Sequence, residues 1–139
     1  MNDLSNAPPP SLVNVTVYSF SYKDPPKFDY PPGGGFIFDA RCLPNPGRLP
    51  EFAELNGQHL EVKRWLDEKK EAQRFFQLVL PLVEMAIANH KERGYKEPLL
   101  IGFGCTGGQH RSVYFVEKLE EYLRSNQDVA LTKIHLMCF

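Results

Sequence analysis

The chain has 139 residues, 42% hydrophobic and 24% charged, with a formal net charge of −1. Those values fit one soluble globular domain that builds its core without disulfides or metal. They set aside a globally basic nucleic-acid binder, and no apolar run reaches the roughly 18 residues of a membrane span.

Residues Met1–Ser11 are polar and Pro-rich, with no basic or apolar signal-peptide region. They read as a loose tail, which leaves a single domain over residues 12–139. The odd, unpaired cysteines Cys42, Cys105 and Cys138 read as free thiols of a reducing compartment. A cytoplasmic location is therefore expected. Leu12–Phe20 alternates β-branched and aromatic residues, a strand signal. Ser21–Gly35 is a Pro- and Gly-rich loop. Phe36–Phe38 is a short strand that ends in Asp39-Ala40-Arg41. Cys42–Pro50 is a loop stiffened by prolines, and Glu51–Gly57 is irregular or a short helix.

From His59 the period becomes helical. Leu60, Val62, Trp65 and Leu66 fit one short helix. Ala72, Phe75, Phe76, Val79, Leu82, Val83, Ala86, Ile87 and His90 then recur at steps of three and four. Pro81 lies inside this run and is expected to kink or split it, and Gly94 is placed as the C-cap. Pro98–Phe103 is a strand, Val113–Arg124 a helix, Ser125–Asp128 a turn and Val129–Phe139 a last strand, with Lys133 and His135 on its polar face. The order β, β, α, α, β, α, β predicts a layered α/β fold, a mostly parallel sheet of about four strands flanked by helices. Ligands of such sheets sit at the carboxyl ends of the strands, which places Ser19–Tyr22, Asp39–Arg41 and Gly104–Ser112 on one rim.

The segment Leu99–Val116 (LLIGFGCTGGQHRSVYFV) reads as strand, Gly-rich turn and helix, with Gly102, Gly104, Gly107 and Gly108 close together. Backbone N–H groups at a helix N-terminus converge on anions, and Thr106, His110, Arg111 and Ser112 add side-chain donors. Three chemistries overlap here. Gly102-x-Gly104-x-x-Gly107 matches a dinucleotide pattern, but the acid it needs downstream is only Asp128, ahead of the next strand. Cys105-x5-Arg111-Ser112 has the spacing of a Cys-dependent phosphatase acting on a phosphate monoester. There the thiolate of Cys105 would be the nucleophile, Arg111 the phosphate clamp and Asp39 the acid. A non-catalytic phosphate-binding loop needs only what the segment contains. No Gly-Lys-Ser/Thr sequence supports a Walker A site.

IGFGCTGGQHRSVYFVEKLEEYLR closely resembles the signature of the RapZ C-terminal domain family, RNase adaptor proteins that are also known as nucleotide-binding proteins. Phe36–Pro46 (FIFDARCLPNP) is similar to that family's Phe-Asp-x-Arg-x-Leu-Pro-Asn-Pro block, and SFSYK (Ser19–Lys23) to its Ser-Phe-Gly-Phe-Lys. The resemblance spans Ser19 to Arg124. It implies an α/β domain likened to a phosphofructokinase subdomain. It further implies sensing of glucosamine-6-phosphate, contact with small RNA and a ribonuclease, and homo-oligomers. Thr106, Gly107, Gly108, His110 and Arg111 correspond to the family's sugar-phosphate loop. Gly47 replaces a family His, Gln109 stands where Lys is frequent, and KIHLMCF replaces a basic tail. The family's N-terminal P-loop domain has no counterpart in these residues, so the C-terminal module alone is expected.

The resulting expectation is a regulatory binding module rather than an enzyme, without cofactor or metal, contacting no membrane. Its ligand is a phosphorylated metabolite, an amino-sugar phosphate in the first place. The candidate ligand-binding residues are Thr106, Gly107, Gly108, Gln109, His110, Arg111, Ser112, Asp39 and Arg41. Asp39 and Arg41 either orient each other or bind sugar hydroxyls and phosphate, and Arg111 either contacts ligand or pairs with Asp39. Asn45 is expected to fix its loop, Cys42 and Cys138 to be bystanders, and His59 and His90 to be structural or at the surface. Glu68–Glu71 reads as a solvated helix face, and Phe75 and Phe76 as core.

Overall fold

The computed structural model describes residues 12–137. Four strands, β1 (Val13–Ser21), β2 (Gly35–Asp39), β3 (Leu99–Cys105) and β4 (Val129–His135), form one sheet in the order β2-β3-β1-β4. All three pairings are parallel. The helices are α1 (Leu60–Asp67), α2 (Lys70–Arg93) and α3 (Arg111–Leu123), with 3-10 turns at Pro46–Arg48 and Pro50–Phe52. The expected layered α/β architecture is what forms.

The register aligns Val17 with Ile101 and Phe38 with Phe103. Alternation along the strands sends Val13, Val15, Val17, Leu99, Ile101 and Phe103 to the face that meets the helices. Phe103 stacks on Phe115 of α3 at 5.8 Å between ring centroids. Each such side chain contributes about 1.5–3 kcal/mol by leaving water. The opposite face carries Tyr18, Phe20 and Leu100, packed by Tyr22 and Tyr30 from the β1–β2 connection. Ile37 and Ile134 remain exposed.

Because every strand is parallel, Ser21, Asp39 and Cys105 end at one rim, as expected, and His135 joins them there. Ser21 aligns with Cys105 and Asp39 with Gly104.

Of the kink or split expected at Pro81, the split does not occur, and α2 runs unbroken through it. Ala72, Phe76, Val79, Val83 and Ile87 bury one continuous stripe. Gln77 and Pro81 are both exposed, so the carbonyl left without its i+4 donor meets water. Leu82 leaves the apolar stripe and is 41% exposed. Lys133 and His135 do share one face of β4, and that face is largely covered. They turn toward α3, where Lys133 pairs with Glu117 at 2.8 Å and Glu120 at 3.2 Å. The tail Met1–Ser11, Cys138 and Phe139 lie outside the described residues. No helix among the described residues is long and apolar enough to cross a membrane.

Candidate functional site

The loop from Cys105 to Arg111 joins β3 to α3 at the carboxyl rim. Among the described residues, no backbone N–H from Thr106 to Arg111 donates to a protein acceptor. The first N–H in this stretch with a partner is that of Ser112, which donates to Cys105 Sγ at 3.4 Å. A row of unspent donors at a helix N-terminus is an anion-binding arrangement. Gly108 makes the turn with φ +67°, and a Cβ there would stand 2.6 Å from Met137 Cγ and 2.8 Å from the Ser21 nitrogen. Gly107 is different, since a Cβ there would meet nothing within 4 Å.

Arg111 is the first residue of α3 and only 4% exposed. Its Nη1 donates to the carbonyls of Arg41 at 2.8 Å and Leu43 at 3.0 Å. Its Nη2 approaches Thr106 Oγ1 at 3.4 Å, and its buried Nε has no partner. No carboxylate lies within ion-pair distance of it among the described residues. The charge is therefore desolvated and uncompensated, an arrangement that calls for a counter-anion.

Asp39 and Arg41 pair with each other. Arg41 Nε and Nη2 donate to the carboxylate at 2.6–3.0 Å, and the Arg41 guanidinium lies 3.8 Å over the Tyr22 ring. The hydrogen bonds from Arg41 outweigh partial burial and hold the Asp39 carboxyl below its ordinary range. The Arg111–Asp39 pair weighed in the sequence does not form. Arg111 acts on Asp39 only through its field.

An open cavity of about 530 Å³ adjoins this loop, lined by Arg41, Cys42, Leu43, Pro44, Asn45, Arg48, Glu71, Thr106 and Arg111. Three arginines and one acid, Glu71, thus lie on its wall, with Arg41 already paired to Asp39. Asn45 fixes its own loop, accepting from the Gly47 N–H at 2.9 Å. Cys42, Arg48 and Glu71 were not among the expected site residues. Arg48 follows the Pro-Asn-Pro-Gly segment and had a local signal. Glu71 arrives from the first turn of α2, and no spacing in the sequence ties it to the loop.

The remaining loop residues have other partners. Gln109 Nε2 donates to the carbonyls of Ala53 and Leu55. His110 Nε2 lies 2.8 Å from the Phe52 carbonyl. Both side chains tie the loop to the 3-10 segment. Ser112 is fully buried, and Cys105 Sγ donates to its Oγ at 3.2 Å. Cys105 is 2% exposed and does not line the cavity, so the Cys-x5-Arg spacing brings a thiol beneath the loop and a guanidinium into the cavity. Gly102 and Gly104 of the dinucleotide-like pattern lie inside β3. Added Cβ atoms would come 2.5 Å from the Tyr18 and Phe20 rings, so these glycines serve sheet packing.

Two other polar constellations are structural. A larger groove of about 820 Å³ runs along α1 and α3 past Lys63, Asp67, Tyr114 and Lys118. Tyr114 donates to Asp67 and Lys118 to Gln73, so its inner polar groups are already satisfied. Ser19 Oγ lies 2.6 Å from His135 Nδ1, whose other nitrogen is 3.6 Å from Glu117. Ser19 is fully buried, out of reach of any substrate.

The family model of the RapZ C-terminal domain matches residues 13–137. A nucleotide-binding protein of Fusobacterium nucleatum is 37% identical over 124 residues, covering 89% of this chain and 41% of the relative. A nucleotide-binding protein of Thermodesulfovibrio yellowstonii is 38% identical over 112 residues, 81% of this chain and 38% of its own length. One of Lactobacillus helveticus is 38% identical over 119 residues, 86% of this chain and 39% of its own length. The chain thus spans about two fifths of the length of the curated relatives it matches.

Proposed function

The chain belongs to the RapZ C-terminal domain family, and we propose that it is a binding domain for a phosphorylated small molecule, an amino-sugar phosphate such as glucosamine-6-phosphate. One observation carries this reading: the buried Arg111 side chain lines the cavity with no carboxylate within ion-pair distance among the described residues, beside backbone N–H groups that donate to no acceptor of the described residues. A phosphate monoester supplies the missing charge and accepts from several N–H groups at once. In this reading Thr106, Gly107, Gly108 and the backbone of Gln109 and His110 surround the phosphate, with Arg111 at its base. Arg41, steadied by Asp39 and Tyr22, stands at the wall of the cavity. Glu71 gives the cavity one anionic pole, which suits the ammonium of an amino sugar.

The relatives are called nucleotide-binding proteins, and a nucleotide phosphate could use the same loop. Small RNA, a ribonuclease or a second copy of the chain are the partners that the family relation supports for passing on the ligand signal. Calorimetry with glucosamine 6-phosphate, glucose 6-phosphate, adenosine monophosphate and inorganic phosphate tests the ligand. Saturable binding of a sugar phosphate that Arg111→Ala abolishes is expected. Binding of none of the four, or binding unchanged in Arg111→Ala, overturns the proposal. A gel shift with structured RNA at low and high salt tests the RNA contact, since such affinity falls steeply with salt.

A further inference from the structure

Cys42 is an exposed free thiol on the wall of the anion cavity. Its backbone is held on both sides by one group, because Arg111 Nη1 donates to the carbonyls of residues 41 and 43. The same guanidinium lines the cavity and keeps a buried Nε without a partner. Arg48 adds a second arginine with no carboxylate partner among the described residues, Arg41 is already paired with Asp39, and Glu71 is the one acid on the wall. We propose that Cys42 is a modification site for a low-molecular-weight disulfide bearing carboxylates, and that the adduct shuts the anion cavity. This rests on the reading of the cavity as an anion site.

The chemistry is thiol–disulfide exchange. The Cys42 thiol gives its proton to water and the thiolate attacks one sulfur of the disulfide. A new S–S bond forms to Cys42, the original S–S bond breaks, and the other half leaves as a thiolate. Cys42 is oxidised and the leaving half reduced, so the incoming disulfide is the only co-reactant. Selectivity comes from the wall. The wall carries more positive than negative charge, Arg48 and Arg111 against Glu71, and such a cleft concentrates ions of the opposite sign, so carboxylates on the disulfide are drawn toward Arg48 and Arg111. Once attached, those carboxylates occupy the volume and the donors that a phosphate would use. Exchange with a dithiol reverses the block. Cys105, 2% exposed under the loop, does not compete for the reagent.

The test uses the whole chain carrying Cys138→Ser, so that Cys42 is the accessible thiol, with peptide mapping by mass spectrometry to identify the adduct. Modification rates are measured with 5,5′-dithiobis(2-nitrobenzoate), an anionic disulfide, and with neutral 4,4′-dithiodipyridine. Each rate is divided by that of the same reagent with a small neutral thiol. At low salt the normalised preference for the anionic reagent is expected to be tenfold or more, within the range of about 10–1,000 for electrostatic focusing. It should fall at high salt, with added inorganic phosphate, and in Arg48→Gln. The 2-nitrobenzoate adduct is expected to lose calorimetric binding of glucosamine 6-phosphate and to regain it after dithiothreitol. A normalised preference near unity, labelling elsewhere than Cys42, or an adduct that binds glucosamine 6-phosphate as before overturns the proposal. If the unmodified protein binds none of the phosphate probes, the ligand reading fails by itself. The rate preference then decides the modification site alone.

Discussion

Arg111 Nη1 donates to the main-chain carbonyl of Arg41 at 2.8 Å. The first residue of α3 thereby holds the turn that follows β2, and with it the side chains of Arg41 and Cys42 on the cavity wall. One guanidinium does two jobs: it fixes the wall through Nη1, and it carries a positive charge that no carboxylate among the described residues pairs with at ion-pair distance.

Arg111→Met removes both jobs, and two readouts tell them apart. Losing two hydrogen bonds to carbonyls costs about 1–3 kcal/mol, and relieving a desolvated charge returns part of that. The variant is therefore expected to unfold within about 2 kcal/mol of wild type in phosphate-free buffer. Phosphate should stabilise only the wild type, by up to about 2.7 kcal/mol at a concentration 100 times Kd. Thermal melts across a phosphate series read both effects. A parallel rise in Tm for the two proteins would remove Arg111 from the site.

Gly107 and Gly108 are neighbours with opposite demands. Gly108 has φ +67° and no room for a Cβ, so Gly108→Ala is expected to cost at least 1–3 kcal/mol. A Cβ on Gly107 meets no protein atom within 4 Å, so Gly107→Ala should leave the melting temperature almost unchanged. If the free space beside Gly107 belongs to the ligand, the same substitution should weaken glucosamine 6-phosphate binding by about tenfold, roughly 1.4 kcal/mol. Unchanged affinity in Gly107→Ala places the ligand elsewhere.

Much of this site was legible before its geometry was. Strand, glycine turn and helix follow from local pattern, and parallel strands bring Asp39–Arg41 and Cys105–Arg111 to one rim by topology alone. Side-chain direction was not legible. Gln109 and His110 sit among the residues of the glycine loop in sequence, yet they reach back to Leu55, Ala53 and Phe52. Nothing local distinguishes a loop amide that binds ligand from one that binds a neighbouring loop. Leu82 matched the helical period, but the face it occupies meets no partner among the described residues. Lys133 and His135 read as a polar strand face, and their partners, Glu117 and Glu120, were not legible because they lie on another element. Glu71 was hidden for the same reason, since a mixed-sign run such as Glu68–Glu71 carries no sign of which member turns inward.

Asp39 makes the rim sensitive to acid. Hydrogen bonds from Arg41 hold its carboxyl below the ordinary value. Its folded-state pKa is depressed, so the contribution to stability is complete above the unfolded-state pKa of about 3.9. It is lost as pH falls through the lower folded value. The pair is half-exposed, with side chains 49% and 43% accessible, so solvent screening keeps its worth small. Asp39→Asn should therefore match wild type near pH 2 and fall below it by that small margin at pH 6. Urea midpoints at the two pH values check this. Equal midpoints throughout would show that Arg41 gains nothing from Asp39.

Glu71 sets the choice among ligands in the proposed site. It is the one carboxylate on a wall that also carries Arg41, Arg48 and Arg111, and it costs the cavity some attraction for plain phosphate. It also lies in the first turn of α2, where the helix dipole favours an acidic side chain by about 0.3–1 kcal/mol. Glu71→Gln should lower stability by no more than that. Its effect on ligands is expected to be opposite for two sugars. Glucose 6-phosphate should bind more tightly to the variant, because a like charge has gone. Glucosamine 6-phosphate should bind more weakly, because its ammonium has lost a partner, so the preference between the two falls by about tenfold, roughly 1.4 kcal/mol. Paired titrations of both sugars into both proteins measure this. If the two sugars change affinity in the same direction and to the same extent, Glu71 acts only through the overall field, and the cavity does not select an amine.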